Sequence, residues 1–150
     1  MALITLNFYS QSLGMQTEVL VIMPQKNTAG QIGIASKAED TAYPCLYLLH
    51  GLSDDHTIWQ RRTSVERYAA SHNLAIIMPG VNHSFYCNEE YGERYWDYVS
   101  EELPRAMHRF FRLSDKPGDT FVAGLSMGGF GACRNGLKYW NTFGKVAILS

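Results

Sequence analysis

Cysteine is scarce in this 150-residue chain, and the three present, Cys45, Cys87 and Cys133, cannot close a set of pairs. None has the C-x-x-C spacing of a zinc or redox site, which excludes a disulfide scaffold and a zinc ribbon and predicts reduced thiols. Net charge is nearly absent too. A formal value of −1 gives no electrostatic case for nucleic acid or a membrane surface. The N-terminus, Met1 to Ser10, lacks both a basic stretch and a long apolar run, so it reads as a strand rather than a signal peptide and points to the cytoplasm. Repeats, low-complexity tracts and internal linkers are missing. What is there is an ordinary apolar share, 46% hydrophobic, on a length that suits one domain with a real core.

Apolar residues alternate or cluster over 3–8 and 17–23, the pattern of an early β meander. Residues 25–42 read as a solvated connection in which Ile32 and Ile34 could extend the hairpin. A strand follows Pro44, then a helix over 64–71 and a strand over 74–78 closed by Pro79-Gly80. Tyr95, Val99, Leu103, Ala106 and Phe110 make one apolar stripe on a helix over 95–111, with Pro104 inside it predicting a kink. Lys116-Pro-Gly-Asp119 is a turn, after which come a strand over 121–125, a helix over 128–140 and a strand from Lys145. Such alternation implies an α/β fold: a mostly parallel, doubly wound sheet preceded by an antiparallel meander, with the active site at the carboxyl ends of the strands.

Two of those strand ends carry chemistry. Phe121 to Leu125 runs through Gly124-Leu-Ser126-Met-Gly128 into small, helix-compatible residues, which is the pattern of a nucleophile elbow. There the serine takes a strained conformation that lifts its hydroxyl above the sheet, so Ser126 is the candidate nucleophile. The apolar run Cys45 to Leu49 stops at His50-Gly51. A hydrolase of this architecture needs two backbone N–H donors aimed at the developing oxyanion, and Leu52 and Met127 are placed to supply them. The segment from Pro79 to Arg94, with His83, Phe85, Tyr86 and Tyr91, also leaves a strand end and is expected to line the acyl or alcohol pocket together with Trp59.

In combination, His50-Gly-Leu-Ser-Asp-Asp-His-Thr-Ile-Trp59, Thr63-Ser-Val-Glu-Arg67, Ala75-Ile-Ile-Met-Pro79, Tyr91-Gly92, Glu101-Glu-Leu-Pro104 and Gly124-Leu-Ser-Met-Gly-Gly129 resemble the tributyrin esterase and esterase D branch of the α/β-hydrolases. The resemblance implies that Ser126 is the nucleophile, that Leu52 and Met127 form the oxyanion hole, that short acyl esters are the substrates, and that neither cofactor nor metal is needed. Ser53, Asp54 and Phe130 depart from the S-formylglutathione hydrolase pattern, which leaves that thioesterase as the alternative. Family habit leaves a homo-oligomer open.

Hydrolases of this kind carry serine, acid and histidine in that chain order, yet Met127 to Ser150 contain no Asp, Glu or His, and all five histidines precede Ser126. A serine hydroxyl without a general base is a poor nucleophile at neutral pH. These residues are therefore expected to be the N-terminal part of a larger hydrolase, or one piece of a cleaved or split one, with acid and histidine beyond residue 150. Two rivals remain. His50, Asp54, Asp55 and His56 have metal-ligand chemistry but poor spacing for it, and an esterase-like scaffold without its base could serve as a binding module.

Overall fold

The computed structural model describes residues 1–26 and 41–150; the expected extension at Ile32 and Ile34 lies outside the described residues. Strand β1 (Ala2–Ser10) alternates half-buried Ile4, Leu6 and Phe8 with exposed Leu3, Thr5 and Asn7, as a strand with one covered face must. Strand β2 (Met15–Met23) is covered on both sides. Val19, Val21 and Met23 enter one core, while Leu20 and Ile22 enter a second on the opposite face.

Strands β3 (Cys45–Leu49), β4 (Ala75–Pro79), β5 (Thr120–Leu125) and β6 (Lys145–Leu149) complete a six-stranded sheet of order β1-β2-β4-β3-β5-β6. β2 runs antiparallel to β1 and β4, and β4, β3, β5 and β6 run parallel. The short, wholly apolar runs of β3 and β4 fit a central parallel position, where water reaches neither face.

Helices cover both faces. Short α1 (Ile58–Arg62), which the sequence did not announce, and α2 (Val65–His72) lie near the smaller core, to which α2 contributes Ala69 and α1 the partly buried Trp59. The larger core takes α5 (Met127–Lys138) and a helical stretch made of α3 (Tyr95–Asp97), a π-helical turn (Tyr98–Glu102) and α4 (Leu103–Phe110). The π turn answers the expected Pro104 kink. A proline in a regular helix presses on the carbonyl four residues back and leaves it without a donor. Here the Leu103 N–H reaches back to Tyr98 O, widening the helix just before the ring. The inserted residue shifts the apolar stripe. Tyr95, Val99 and Leu103 are buried as expected, but Met107 takes the next core position and Phe110 is left 53% exposed.

Candidate active site

Ser126 joins β5 to α5 with φ 55° and ψ −116°, a backbone region costly for any residue but glycine. The strained turn expected from the motif is present. Its N–H donates to Leu149 O at 2.8 Å and its carbonyl accepts the Phe130 N–H at 3.0 Å, fastening the serine between β6 and the first turn of α5. Close approach explains the flanking glycines: a Cβ on Gly124 would stand 2.2 Å from Gly128 O, and one on Gly128 would stand 2.4 Å from Leu49 O. The side chain of Ser126 is exposed at the end of the sheet.

The loop after β3 reaches the same place. A Cβ built on Gly51 would lie 3.9 Å from Ser126 Cβ and 3.5 Å from Leu125 O, so the loop passes in van der Waals contact with the serine. Leu52 is 42% exposed and Met127 is buried. Neither the Leu52 nor the Met127 N–H has a backbone acceptor among the described residues. For Met127 the reason is its place at the start of a helix, where N–H groups lack intrahelical partners and the dipole favours negative charge. Two N–H groups without a backbone acceptor among the described residues thus follow directly in the chain on the strained, exposed serine and on the Gly51 that touches it.

Among the described residues nothing hydrogen-bonds the Ser126 hydroxyl. His50 is buried and points into the fold, with Val81 N–H donating to Nε2 at 3.1 Å and Nδ1 standing 2.8 Å from Gly51 O. Burial holds its pKa below the ordinary histidine value, against the opposing pull of the Gly51 carbonyl and of Asp55 and Asp54. His56 faces Glu18 at 3.5 Å, and His108 faces Asp115 at 3.3 Å. The four side chains of the metal-like cluster do not converge. Asp55 accepts from the Thr57 N–H and hydroxyl, Asp54 lies 3.9 Å from Arg62, and no group of three such ligands forms among the described residues.

A pocket of about 130 Å³ adjoins the serine, lined among others by Gly51, Asp54, Ile58, Trp59, Arg62 and Leu125. Trp59 is fixed there by its Nε1–H bond to Leu49 O at 3.1 Å. The expectation for Tyr86 needs correction. It is fully buried, its hydroxyl donates to His50 O at 2.9 Å, and its ring fills the space that a side chain on Gly131 would need. Tyr86 supports the end of β3 from within the core instead of lining a pocket. Tyr91 is 95% exposed.

Phe85 and Tyr86 are both left-handed, with φ 51° and 54°, and this paired strain turns Tyr86 inward while Phe85 stays 45% exposed. Phe85 meets Phe130 edge-on, with ring centroids 6.3 Å apart. Phe130, one helical turn after Ser126, was missed as a site neighbour, although its i+4 spacing on α5 was there to be used. Arg134, another turn on, donates to Tyr86 O at 3.3 Å and to Cys87 Sγ at 2.8 Å and stacks on Trp96 at 4.3 Å. No sequence pattern marked that role.

Comparison with known proteins gives this geometry a family. An acetyl esterase of Caldicellulosiruptor saccharolyticus is 35% identical over 153 residues, covering 100% of this chain and 56% of that protein. The Staphylococcus aureus fluorophosphonate-binding serine hydrolase FphF superposes with a TM-score of 0.85 at 43% identity, covering 97% of this chain and 55% of its own. The S-formylglutathione hydrolase FrmB of the same organism gives 0.82 at 40%, covering 98% and 57%. The chain spans just over half the length of these relatives. Because one of them is an S-formylglutathione hydrolase, the likeness supports the esterase family as a whole and not its tributyrin branch. No helix among the described residues is long and apolar enough to cross a membrane. A model of the family described as "Putative esterase" matches residues 10–150, which leaves only β1 essentially outside it, and the chain belongs to this α/β-hydrolase family of esterases.

Proposed function

We propose that the protein is a serine carboxylesterase acting on short acyl esters. One observation carries the reading: Ser126 is held at φ 55°, ψ −116° beside the two amides of Leu52 and Met127, which have no backbone acceptor among the described residues. Ser126 Oγ attacks the ester carbonyl, the oxyanion is received by those amides, the alcohol leaves, and water cleaves the acyl-enzyme. Each such donor contributes about 3–4 kcal/mol to the transition state. This reading takes the base and acid from residues other than these 150, since no described residue hydrogen-bonds the Ser126 hydroxyl, His50 has both nitrogens engaged, and His56 and His108 pair with Glu18 and Asp115.

Trp59, Ile58 and Leu125 form the apolar side of the acyl pocket, and the likeness to an acetyl esterase supports the short-chain preference. The exposed Phe85 and Phe130 edges bound the alcohol side. Free thiols at Cys45, Cys87 and Cys133 support a cytoplasmic enzyme, and the serine chemistry needs no cofactor. The likeness to FrmB at 40% identity favours, as a second reading, a thioesterase acting on S-formylglutathione.

The test is hydrolysis of p-nitrophenyl butyrate and of S-formylglutathione, with Ser126→Ala as control and EDTA alongside. Serine-dependent, EDTA-indifferent turnover of the butyrate ester is expected, and faster turnover of the thioester would move the assignment to the second reading. Retention of most activity by Ser126→Ala would refute both.

A further inference from the structure

His50 has more to do than fill the core. The Val81 N–H at 3.1 Å can only donate, so Nε2 must be the bare nitrogen. The Gly51 carbonyl at 2.8 Å can only accept, so Nδ1 must carry the proton. Heavy-atom geometry alone therefore assigns one neutral tautomer. Gly51 O shares a planar peptide with the Leu52 N–H, and in a trans peptide the two point in opposite directions. Anchoring the carbonyl on the imidazole, with the Asp54 N–H as a second donor at 3.2 Å, turns the Leu52 N–H away from the core.

We propose that His50 is a positioning residue for ester hydrolysis: its Nδ1–H tautomer locks the Gly51–Leu52 peptide plane and so aims the Leu52 amide at the oxyanion. The role rests on the oxyanion assignment proposed above. It gives protonation a structural consequence, because an imidazolium would set an Nε2–H against the Val81 N–H, two donors with no acceptor between them. The groups around the ring are Tyr86, whose hydroxyl holds the His50 carbonyl, and Asp54, Asp55 and His56 on the loop after β3. The two carboxylates favour the imidazolium and His56 disfavours it, while burial dominates and keeps the ring neutral.

The experiment combines imidazole and amide ¹⁵N spectra with p-nitrophenyl butyrate kinetics for the wild type, His50→Phe and His50→Asn. In the wild type, a protonated Nδ1 and a bare Nε2 are expected through the pH range in which an ordinary histidine titrates. The opposite tautomer or an averaging mixture would overturn the proposal. His50→Phe removes both contacts and should lower kcat about 100-fold with little change in KM, the loss typical of one oxyanion donor. In His50→Asn the amide Nδ2–H can replace Nδ1–H, so most of that loss should be recovered.

Equal impairment of two folded variants would sink the idea, as would a loss seen mainly in KM. If His50→Phe does not fold, the Asn variant and the wild-type tautomer decide. The Leu52 amide resonance should move in the variants whatever the activity, and an unmoved resonance refutes the positioning role. Absence of Ser126-dependent turnover in the wild type would instead remove the esterase reading, with the resonance still reporting whether His50 holds the peptide.

Discussion

Gly128→Ala puts the packing of the elbow to a quantitative test, because two effects of opposite sign meet at one methyl group. Within a helix, alanine is favoured over glycine by about 0.5–1 kcal/mol. At this position, however, the new Cβ would stand 2.4 Å from Leu49 O and 2.8 Å from His50 O, where real contacts stay beyond 3.0 Å. Both are backbone atoms at the end of a central strand and cannot rotate aside. Helix α5 and strand β3 must therefore separate by about 0.6 Å.

Overpacking of a close-packed core costs about 1–3 kcal/mol, and the rigidity of the neighbours puts this case at the upper end. After the helix gain is subtracted, a net loss of about 2 kcal/mol is expected. The same movement parts the Met127 amide, carried by α5, from the Leu52 loop, carried by β3. Since a 1 Å misplacement can cost about 100-fold in rate, a loss of about tenfold in kcat is expected. Urea unfolding monitored by tryptophan fluorescence, with kcat measured on the same samples, tests both parts. Gly118→Ala is the control, because a Cβ at that position would meet nothing within 4 Å. A Gly128→Ala protein as stable and active as the wild type would refute the close-approach argument.

Three further perturbations separate strain, space and charge. Ser126→Gly should abolish turnover yet raise stability by about 1 kcal/mol over Ser126→Ala, because only glycine relaxes at φ 55°; equal unfolding midpoints would contradict the strain. Gly51→Val brings methyl groups against Asp54 Oδ2, Leu125 O and Ser126, and should reduce kcat more than it raises KM; a rise in KM alone would count against the oxyanion role of this loop. Glu102 accepts from Ser10 Oγ, Gln11 N–H and Ser12 N–H at 2.7, 2.7 and 2.9 Å. Burial pushes its pKa up, but these hydrogen bonds outweigh burial and leave it below the ordinary glutamate value of 4.5. The unfolded chain then takes up the proton first, so the stability from Glu102 is present above that value and is lost as pH falls through the lower folded one. Thermal midpoints of Glu102→Gln should be lower at neutral pH and flatter toward acid; an unchanged acid slope would rule out this role.

Local chemistry made much of the molecule readable in the chain itself. Period-two alternation in β1, the apolar runs of β3 and β4, and the glycine-serine turn at 124–128 depend on near neighbours, and the elements stand where those patterns put them to within a residue or two. Gly51 beside the serine was legible for the same reason, since a glycine that closes a buried strand marks a tight approach. The tertiary structure decided what depends on distant partners. Tyr86 reads as a pocket aromatic until Gly131 opens a space for its ring and His50 O a bond for its hydroxyl. Phe110 left the core because the π turn before Pro104 shifted the buried stripe so that Met107 took the next core position. Likewise the His50 tautomer follows from Val81, thirty-one positions along the chain. Hydrogen bonds and contacts across such separations leave no periodicity to read, because the chain records each residue's own preference while folding alone selects its partner.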